Sequence, residues 1–477
     1  MTHKLHPPTQ LRRGLGLWAA ISVNVANMIG AGIFLKTRAM TCNVGSASMV
    51  LLVWVAAGLL SLAGTFSYAE VSAMLPEAGG DYVFLRRAYG KLVGFLYGWT
   101  FFVVARTGSQ AALAVGFAIF LNVALGGGLE EPLWRADFAG FHLHLSILTV
   151  VALVTLWAVA VMNCRPVHTG GHAAVMLTLI KVLFLAGLVM GAFLMSTGHW
   201  HHLTEVATGA TCEGVASTAR GGVAGFGAAM LGALWAYDGW NNVAPLAGEI
   251  KNPDRNLPRA FFGGMMVVGA LYLLANLAYF YVMTPTEIAS VSLASSVATE
   301  VAQHFLGARA TQLIAVALMV SSLGALHASV LANSRIPFAM AREGVFFKSL
   351  SRLSPTTHVP IRAILAQAAW ASVLALSGSY DALTDSVIFA SWLFYGLSIA
   401  SLFVFRYTMP NAHRPHRAFG YPIVPALFLL VTLWLIANTF VATPRLALIG
   451  LLAMLAGLPF YWFWSRSINA AAHLETH

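Results

Sequence analysis

Charged side chains are scarce in this sequence. Asp, Glu, Lys and Arg make up 9% of 477 residues, where a soluble globular chain carries about 25%. A hydrophobic fraction of 58% and a mean hydropathy of +0.76 go with that scarcity. Together they exclude a soluble globular domain and point to a polytopic membrane protein. The apolar runs do not alternate with polar residues, which excludes the strands of an outer-membrane barrel. Cysteine is nearly absent: three residues cannot build a disulfide scaffold. Cys42 and Cys212 fall in loops on one side and are expected to be unpaired, with a bridge as the alternative; Cys164 sits at a helix end and is expected only to pack. No A-x-A site follows the first apolar run, which is too long for a signal peptide, so it reads as a retained span. No span carries paired histidines, a G-x-S-x-G turn or clustered carboxylates, so neither an enzyme nor a cofactor is expected. The histidines of GHWHH at 198–202 lack a cysteine or carboxylate at ligand spacing and read as a loop, with no metal expected.

What the chain does have is long apolar segments. A spanning helix needs roughly 20 such residues to cross about 30 Å of hydrocarbon. Runs near 14–37, 47–71, 92–121, 145–163, 169–195, 222–248, 260–283, 310–334, 361–378, 384–407, 421–441 and 446–464 predict an all-α protein with twelve transmembrane helices. Most basic residues, among them Arg12, Arg13, Arg86, Arg87, Lys91, Lys251, Arg255 and Arg342, then lie on one side. The other side receives Lys36, Arg38, Arg135, Arg220, Arg309 and Arg445. The net charge of +10 is thus an orientation signal that places both termini in the cytoplasm, rather than a footprint for nucleic acid.

Within the spans few ionisable residues remain: Arg106 in the third, Lys181 in the fifth, Asp238 in the sixth, and Glu70 near the cytoplasmic end of the second. Each costs about 2.5–3.5 kcal/mol at the centre of a span on the insertion scale. Such groups either face a cavity or lock helices together as ion pairs. Two spans also carry helix-breaking stretches. The first has Gly30 and Gly32 flanking Ala31; the sixth has Gly232 and then Tyr237, Asp238, Gly239 and Trp240. Glycine costs a helix interior about 1 kcal/mol against alanine. Close helix packing would account for either stretch alone. Breaks in the first and sixth spans together match transporters built from inverted five-helix repeats, whose half-helix ends present amides to anions and carbonyls to cations.

The motifs GAGIF, PEAGGDYVFLRRAYG (76–90), ARTGSQ, LTLIKVLFLAG, LWAYDGWNNVAPLAGEIKNPDRNLPRA, NSRIPFAMAREG (333–344) and RAFGYPIVPALF (417–428) resemble the L-type amino acid transporter family of the amino acid-polyamine-organocation superfamily. The likeness is nearer to bacterial members of the serine/threonine-exchanger kind. It implies a leucine-transporter-type fold in which helices 1 and 6 are discontinuous. Residues 1–13 would be an N-terminal tail and 14–407 a ten-helix core of two inverted repeats, about 14–195 and 222–407. Residues 408–464 would form helices 11 and 12, and 465–477 a cytoplasmic tail. The implied function is sodium-independent exchange of small neutral amino acids, with proton-coupled symport or acceptance of cationic amino acids as alternatives. A bacterial cytoplasmic membrane is the implied location.

Carried over by motif, Gly30, Ala31 and Gly32 offer amides to a substrate carboxylate, with Ile29 beside them. Carbonyls of span 1, Trp235 and Ala236 meet the amine. Trp235 is the aromatic gate, or else a packed core tryptophan; Tyr237 and Gly239 complete that wall, and Ala105 and Ser109 line the opposite one. Lys181 takes the place of a sodium ion, with Ser321 and Ser322 accepting from it beside carbonyls near Asn27 and Gly30, as a fixed charge or a proton carrier. Asp238 pairs with Arg106 or Lys181, attracts a cationic side chain, or caps the break. Asn241 and Asn242 bond backbone groups freed by it. Residues 125–140 contain no cysteine, so no disulfide-linked heavy chain is expected. KNPDRNLPRA reads as a turn-rich loop, PEAGGDY as leading into a short cytoplasmic helix, and 285–305 as an outer loop with short helices, a lid.

Overall fold

The computed structural model describes residues 10–138, 141–293, 295–377, 380–442 and 444–465. Residues 1–9 and 466–477, most of the two expected tails, lie outside it. The chain is mostly helical. The helices are α1 (Leu17–Met28), α2 (Gly32–Val44), α3 (Ala47–Met74), α4 (Asp81–Tyr89), α5 (Lys91–Thr100), α6 (Arg106–Leu125), α7 (Ile147–Asn163), α8 (Val167–Met195) and α9 (Gly222–Tyr237). They continue with α10 (Pro253–Val282), α11 (Pro285–Ser290), α12 (Val297–Leu306), α13 (Ala310–Asn333), α14 (Arg335–Arg342), α15 (Ile361–Ser377), α16 (Tyr380–Thr408), α17 (Ile423–Ala442) and α18 (Pro444–Leu455). One antiparallel hairpin, β1 (Pro132–Phe138) with β2 (Phe141–Ser146), fills the loop after α6, where no strand was expected.

Among the described residues, seven helices are by length and composition apolar enough to cross a membrane, or eight when the bent pair α1 and α2 counts as one span. Three shorter apolar helices, α7, α9 and α15, stand beside them. Large apolar side chains such as Trp18, Leu59, Leu183, Leu194 and Leu430 stay exposed on the outward faces. Arginines and glutamates such as Glu70, Glu249 and Arg335 are buried instead. That pattern inverts a soluble fold and identifies an integral membrane protein. Helix ends follow local chemistry. Gly45 stops α2 in the left-handed region at φ +76°, and Ser46 then caps α3 by accepting from the Met49 amide. Thr284 and Glu287 form a reciprocal capping box on α11.

Three expectations change. Cys42 and Cys212 are bonded to each other, because Arg38 and Asn43 hold the loop before α9 against the end of α2 and Arg220 braces that loop by donating to the Cys212 carbonyl. The KNPDRNLPRA stretch is largely helical, since α10 starts at Pro253, where a missing amide proton costs nothing, and runs on through Pro258. The sixth span ends as α-helix at Tyr237 rather than near 248.

Ion pairs gather at the end of the molecule where α3 finishes. Glu70 accepts from Arg406 at 2.6 and 3.0 Å, lies 3.2 Å from Arg414 and accepts from the Ala418 amide at 2.7 Å. Glu249 and Arg335, both wholly buried, form a two-pronged pair at 2.6 and 2.9 Å. The Glu249 carbonyl also receives the amides of Gly14 and Leu15 at 2.9 and 3.0 Å, which seals the start of the chain against this end. Arg335→Met strands the Glu249 carboxylate and is expected to cost about 3–5 kcal/mol of stability. Thermal unfolding in detergent checks this, and the double variant Glu249→Leu/Arg335→Met should recover much of the loss.

Candidate functional site

A chain that leaves helical geometry inside hydrocarbon must satisfy its freed backbone groups locally. Helix α1 stops at Met28 and α2 starts at Gly32, with a 42° bend between them. Helix α9 stops at Tyr237, and the chain passes through turns into a 3-10 turn at Ala244–Glu249. The two breaks rest on each other. A Cβ on Gly32 would lie 2.7 Å from the Ala236 Cβ. A Cβ on Gly239, at φ +103°, would lie 2.9 Å from the Asn27 Cβ. Each break therefore carries a glycine that admits the other.

Side chains from neighbouring helices take up the loose carbonyls. The Tyr272 hydroxyl shares its proton between the Met28 carbonyl at 2.7 Å and the Ala236 carbonyl at 3.0 Å. The Lys181 ammonium donates to the Ala26 and Ile29 carbonyls, both at 2.9 Å, and the Ser321 hydroxyl donates to Ile29 at 2.9 Å. Asn24 accepts from the Val243 amide at 3.1 Å across the second break. The carbonyls near Asn27 and Gly30 that Lys181 meets are those of Ala26 and Ile29, because the last carbonyls of α1 have lost their partners one turn on. Ser321 donates beside the lysine instead of accepting from it, while Ser322 faces the cavity. The Gly30 amide is turned back onto the Met28 carbonyl at 2.8 Å, so the first free amides of α2 belong to residues after it.

A cavity of about 470 Å³ lies against the breaks. Gly30, Ala31, Gly32, Trp235, Ala236 and Gly239 line one wall; Ala105, Arg106 and Ser109 face them. Trp235 is 36% exposed, so its ring borders the cavity instead of the packed core, and the Lys36 ammonium sits 4.6 Å from the ring centre. Ile29 and Tyr237 do not line the cavity: Ile29 is buried, and Tyr237 packs edge-on against Trp54. A π-helical turn, Phe101–Ala105, precedes α6, and the Thr107 hydroxyl closes onto the Phe102 carbonyl five residues back at 2.7 Å. Such a turn rotates the following residues, here placing Arg106 at the cavity.

Arg106 lies 3.5 Å from Asp238, and Tyr395 joins them by accepting from Arg106 at 3.0 Å and donating to Asp238 at 2.7 Å. Of the three readings of Asp238, the geometry gives the pair with Arg106, while 39% of its side chain stays open to the cavity. Asn242 lines the cavity, and Asn241 points away from it, toward Asp81. The cavity runs along α6 past Leu113 and Gly116 to Ile119 and Phe120. Behind the lining residue Tyr395, Trp240 is buried edge-on against Tyr68 at 4.7 Å and Tyr395 at 5.9 Å. Tyr272, Tyr395 and Asn24 went unread in the sequence, because a tyrosine or asparagine in an apolar run carries no sign of which backbone group it meets. No group of three metal-ligating side chains occurs among the described residues.

Gly239→Ala forces a side chain into the left-handed region against α1 and is expected to cost about 1–3 kcal/mol. Gly232→Ala, whose Cβ would find its nearest neighbour 3.7 Å away, should be neutral or stabilising. Unfolding midpoints of the two variants in detergent test the difference.

A family model described as amino acid permease matches residues 15–462. A serine/threonine exchanger of Bacillus subtilis is 30% identical over 95% of this chain and 97% of its own length. The b(0,+)-type amino acid transporter 1 of Mus musculus is 28% identical over 98% and 93%. The large neutral amino acids transporter small subunit 2 of Mus musculus is 30% identical over 96% and 82%. With the match running from the start of α1 almost to the last described residue, the chain belongs to the amino acid permease family, as the L-type transporter motifs of its sequence imply.

Proposed function

We propose that this protein exchanges small neutral amino acids across a membrane by alternating access, without sodium and without acting as an enzyme. The observation that carries the reading is the Lys181 ammonium on the Ala26 and Ile29 carbonyls. A tethered cation there does the electrostatic work of a bound metal ion, so none is needed to hold the break. The substrate carboxylate meets the N-terminal end of α2 at Ala31 and Gly32, where the helix dipole is positive. Its amine faces the end of α9 and the open oxygen of Asp238. Because Arg106 offsets Asp238, the cavity favours a side chain with no net charge. Trp235 gates the mouth, and Ala105, Ser109 and Gly116 leave room for a small substrate.

Several finer statements belong to the same reading. The seven long helices, the bent pair, the three shorter apolar helices and α16 add up to twelve spans. Residues 14–195 and 222–407 would form the inverted repeats, with the remaining two helices outside them. Basic loops put both termini in the cytoplasm of a bacterial cell. The relatives support transport of amino acids: one is named an exchanger of serine and threonine. Another is named a small subunit. The absence of a cysteine at 125–140 argues against a disulfide-linked partner here.

Proton-coupled symport is the second reading, favoured by a titratable Lys181 that is 4% exposed. Uptake of radiolabelled amino acids into sodium-free proteoliposomes, preloaded or empty, with and without an inward proton gradient, separates the two. Exchange gives uptake only into preloaded vesicles, whatever the gradient; gradient-driven filling of empty vesicles overturns it. Lys181→Met leaves the buried Ala26 carbonyl without its donor and the Ile29 carbonyl with Ser321 alone, and should slow uptake ~10-fold or more.

A further inference from the structure

Outside the cavity lining, beside Asn241, lies a carboxylate that the transport reading does not use. Asp81 is the first residue of α4 and is 1% exposed. Its Oδ1 accepts from the Tyr68 hydroxyl and from the Ser398 hydroxyl at 2.7 Å. Its Oδ2 meets the Asn241 amide at 3.5 Å, the outer limit of a hydrogen bond, and the Tyr97 hydroxyl and the residue's own backbone amide also face the carboxylate. Among the described residues no lysine or arginine forms an ion pair with it. The titratable and charged groups facing it are Tyr68 from α3, Tyr97 from α5, Arg106 from α6 and Tyr395 from α16. The tyrosines are neutral hydroxyls, and Arg106 is committed to Asp238 and Tyr395.

The turn before Asp81 is packed closely against the segment after α9. Gly79 and Gly80 take φ +113° and +54°, and a Cβ on Gly80 would lie 2.7 Å from the Pro245 nitrogen. The α4 dipole favours a charge at this position, but it is a short helix, and the cost of burying a weakly hydrogen-bonded carboxylate is the larger effect. Burial accordingly pushes the Asp81 carboxyl above its ordinary range, against the pull of the Tyr68 and Ser398 hydrogen bonds and of Arg106.

We propose that Oδ2 of Asp81 carries an exchangeable proton in this closed arrangement and gives it up to water when the segment after α9 moves away. Two contacts connect the proton to the cavity. Asn241 belongs to the segment that follows the second break. Ser398 lies one turn beyond Tyr395 on α16, and Tyr395 holds Asp238 and Arg106. A substrate that shifts Tyr395 or Asn241 therefore alters the shell of Asp81. The transfer is an acid–base equilibrium: the carboxylic acid releases its proton to the water that reaches it and takes one back before the segment recloses. The coupling rests on the alternating-access reading; the proton itself does not.

Infrared spectra of the full-length protein in lipid, compared with Asp81→Asn, separate the two parts. The wild type should show at neutral pH a carboxylic acid carbonyl stretch, shifted by deuterium, that Asp81→Asn lacks while retaining a wild-type unfolding midpoint. A wild type in which Asp81 contributes only carboxylate bands overturns the proposal, whatever the protein transports. For the coupling, the pH profile of amino acid exchange in proteoliposomes should flatten in Asp81→Asn, with uptake persisting. An Asp81→Asn profile that tracks the wild type overturns it.

Discussion

Everything in this site depends on how the carbonyls freed by the first break are satisfied. A break in a helix surrounded by hydrocarbon exposes groups that water cannot reach, and each unsatisfied one costs several kcal/mol. Here one ammonium and two hydroxyls, from three different helices, converge on four carbonyls of the two breaks. The lysine supplies charge as well as donors, so the end of α1, where its dipole is negative, faces a cation. Gly324 makes this possible on the other side: a Cβ there would lie 2.6 Å from the lysine Cε. The breaks can then lie against each other with the cavity beside them.

The distribution of charge divides the molecule into two ends. Around the cavity the charges are few and offset each other, and small residues dominate the walls. At the far end Glu249 and Arg335 form a wholly buried pair, and a buried Glu70 pairs with Arg414 and with a partly exposed Arg406. Buried pairs contribute little net stability, since desolvation consumes most of the attraction. At this end they link α3 to α16 and the segment after α9 to α14.

Much of this was legible in the sequence because polarity inside an apolar run is hard to explain away. Gly30, Gly32, Lys181, Arg106 and Asp238 stood out for that reason, and most of them border the cavity or support it. What escaped was anything that depends on a partner from elsewhere in the chain. Tyr272 and Tyr395 look like ordinary aromatic residues until the carbonyls and the carboxylate beside them are seen. The π-helical turn at Phe101–Ala105 has no sequence mark. Tyr237 was drawn into the site by its neighbours in WAYDGW, yet a helix turns by 100° per residue, and it faces Trp54 instead. The cysteines were misread because spacing in sequence, 170 residues, says nothing of proximity once loops from two helices meet.

That bridge has a mechanical meaning. It fastens the end of α2 to the loop that leads into α9, where the Gly221 amide also donates to the Asn43 carbonyl at 2.7 Å. The bridge and this hydrogen bond therefore hold the far end of α2 to the chain entering α9, while Gly32 and Ala236 bring the two half-helices together at the breaks, so the pair is fastened near both of its ends.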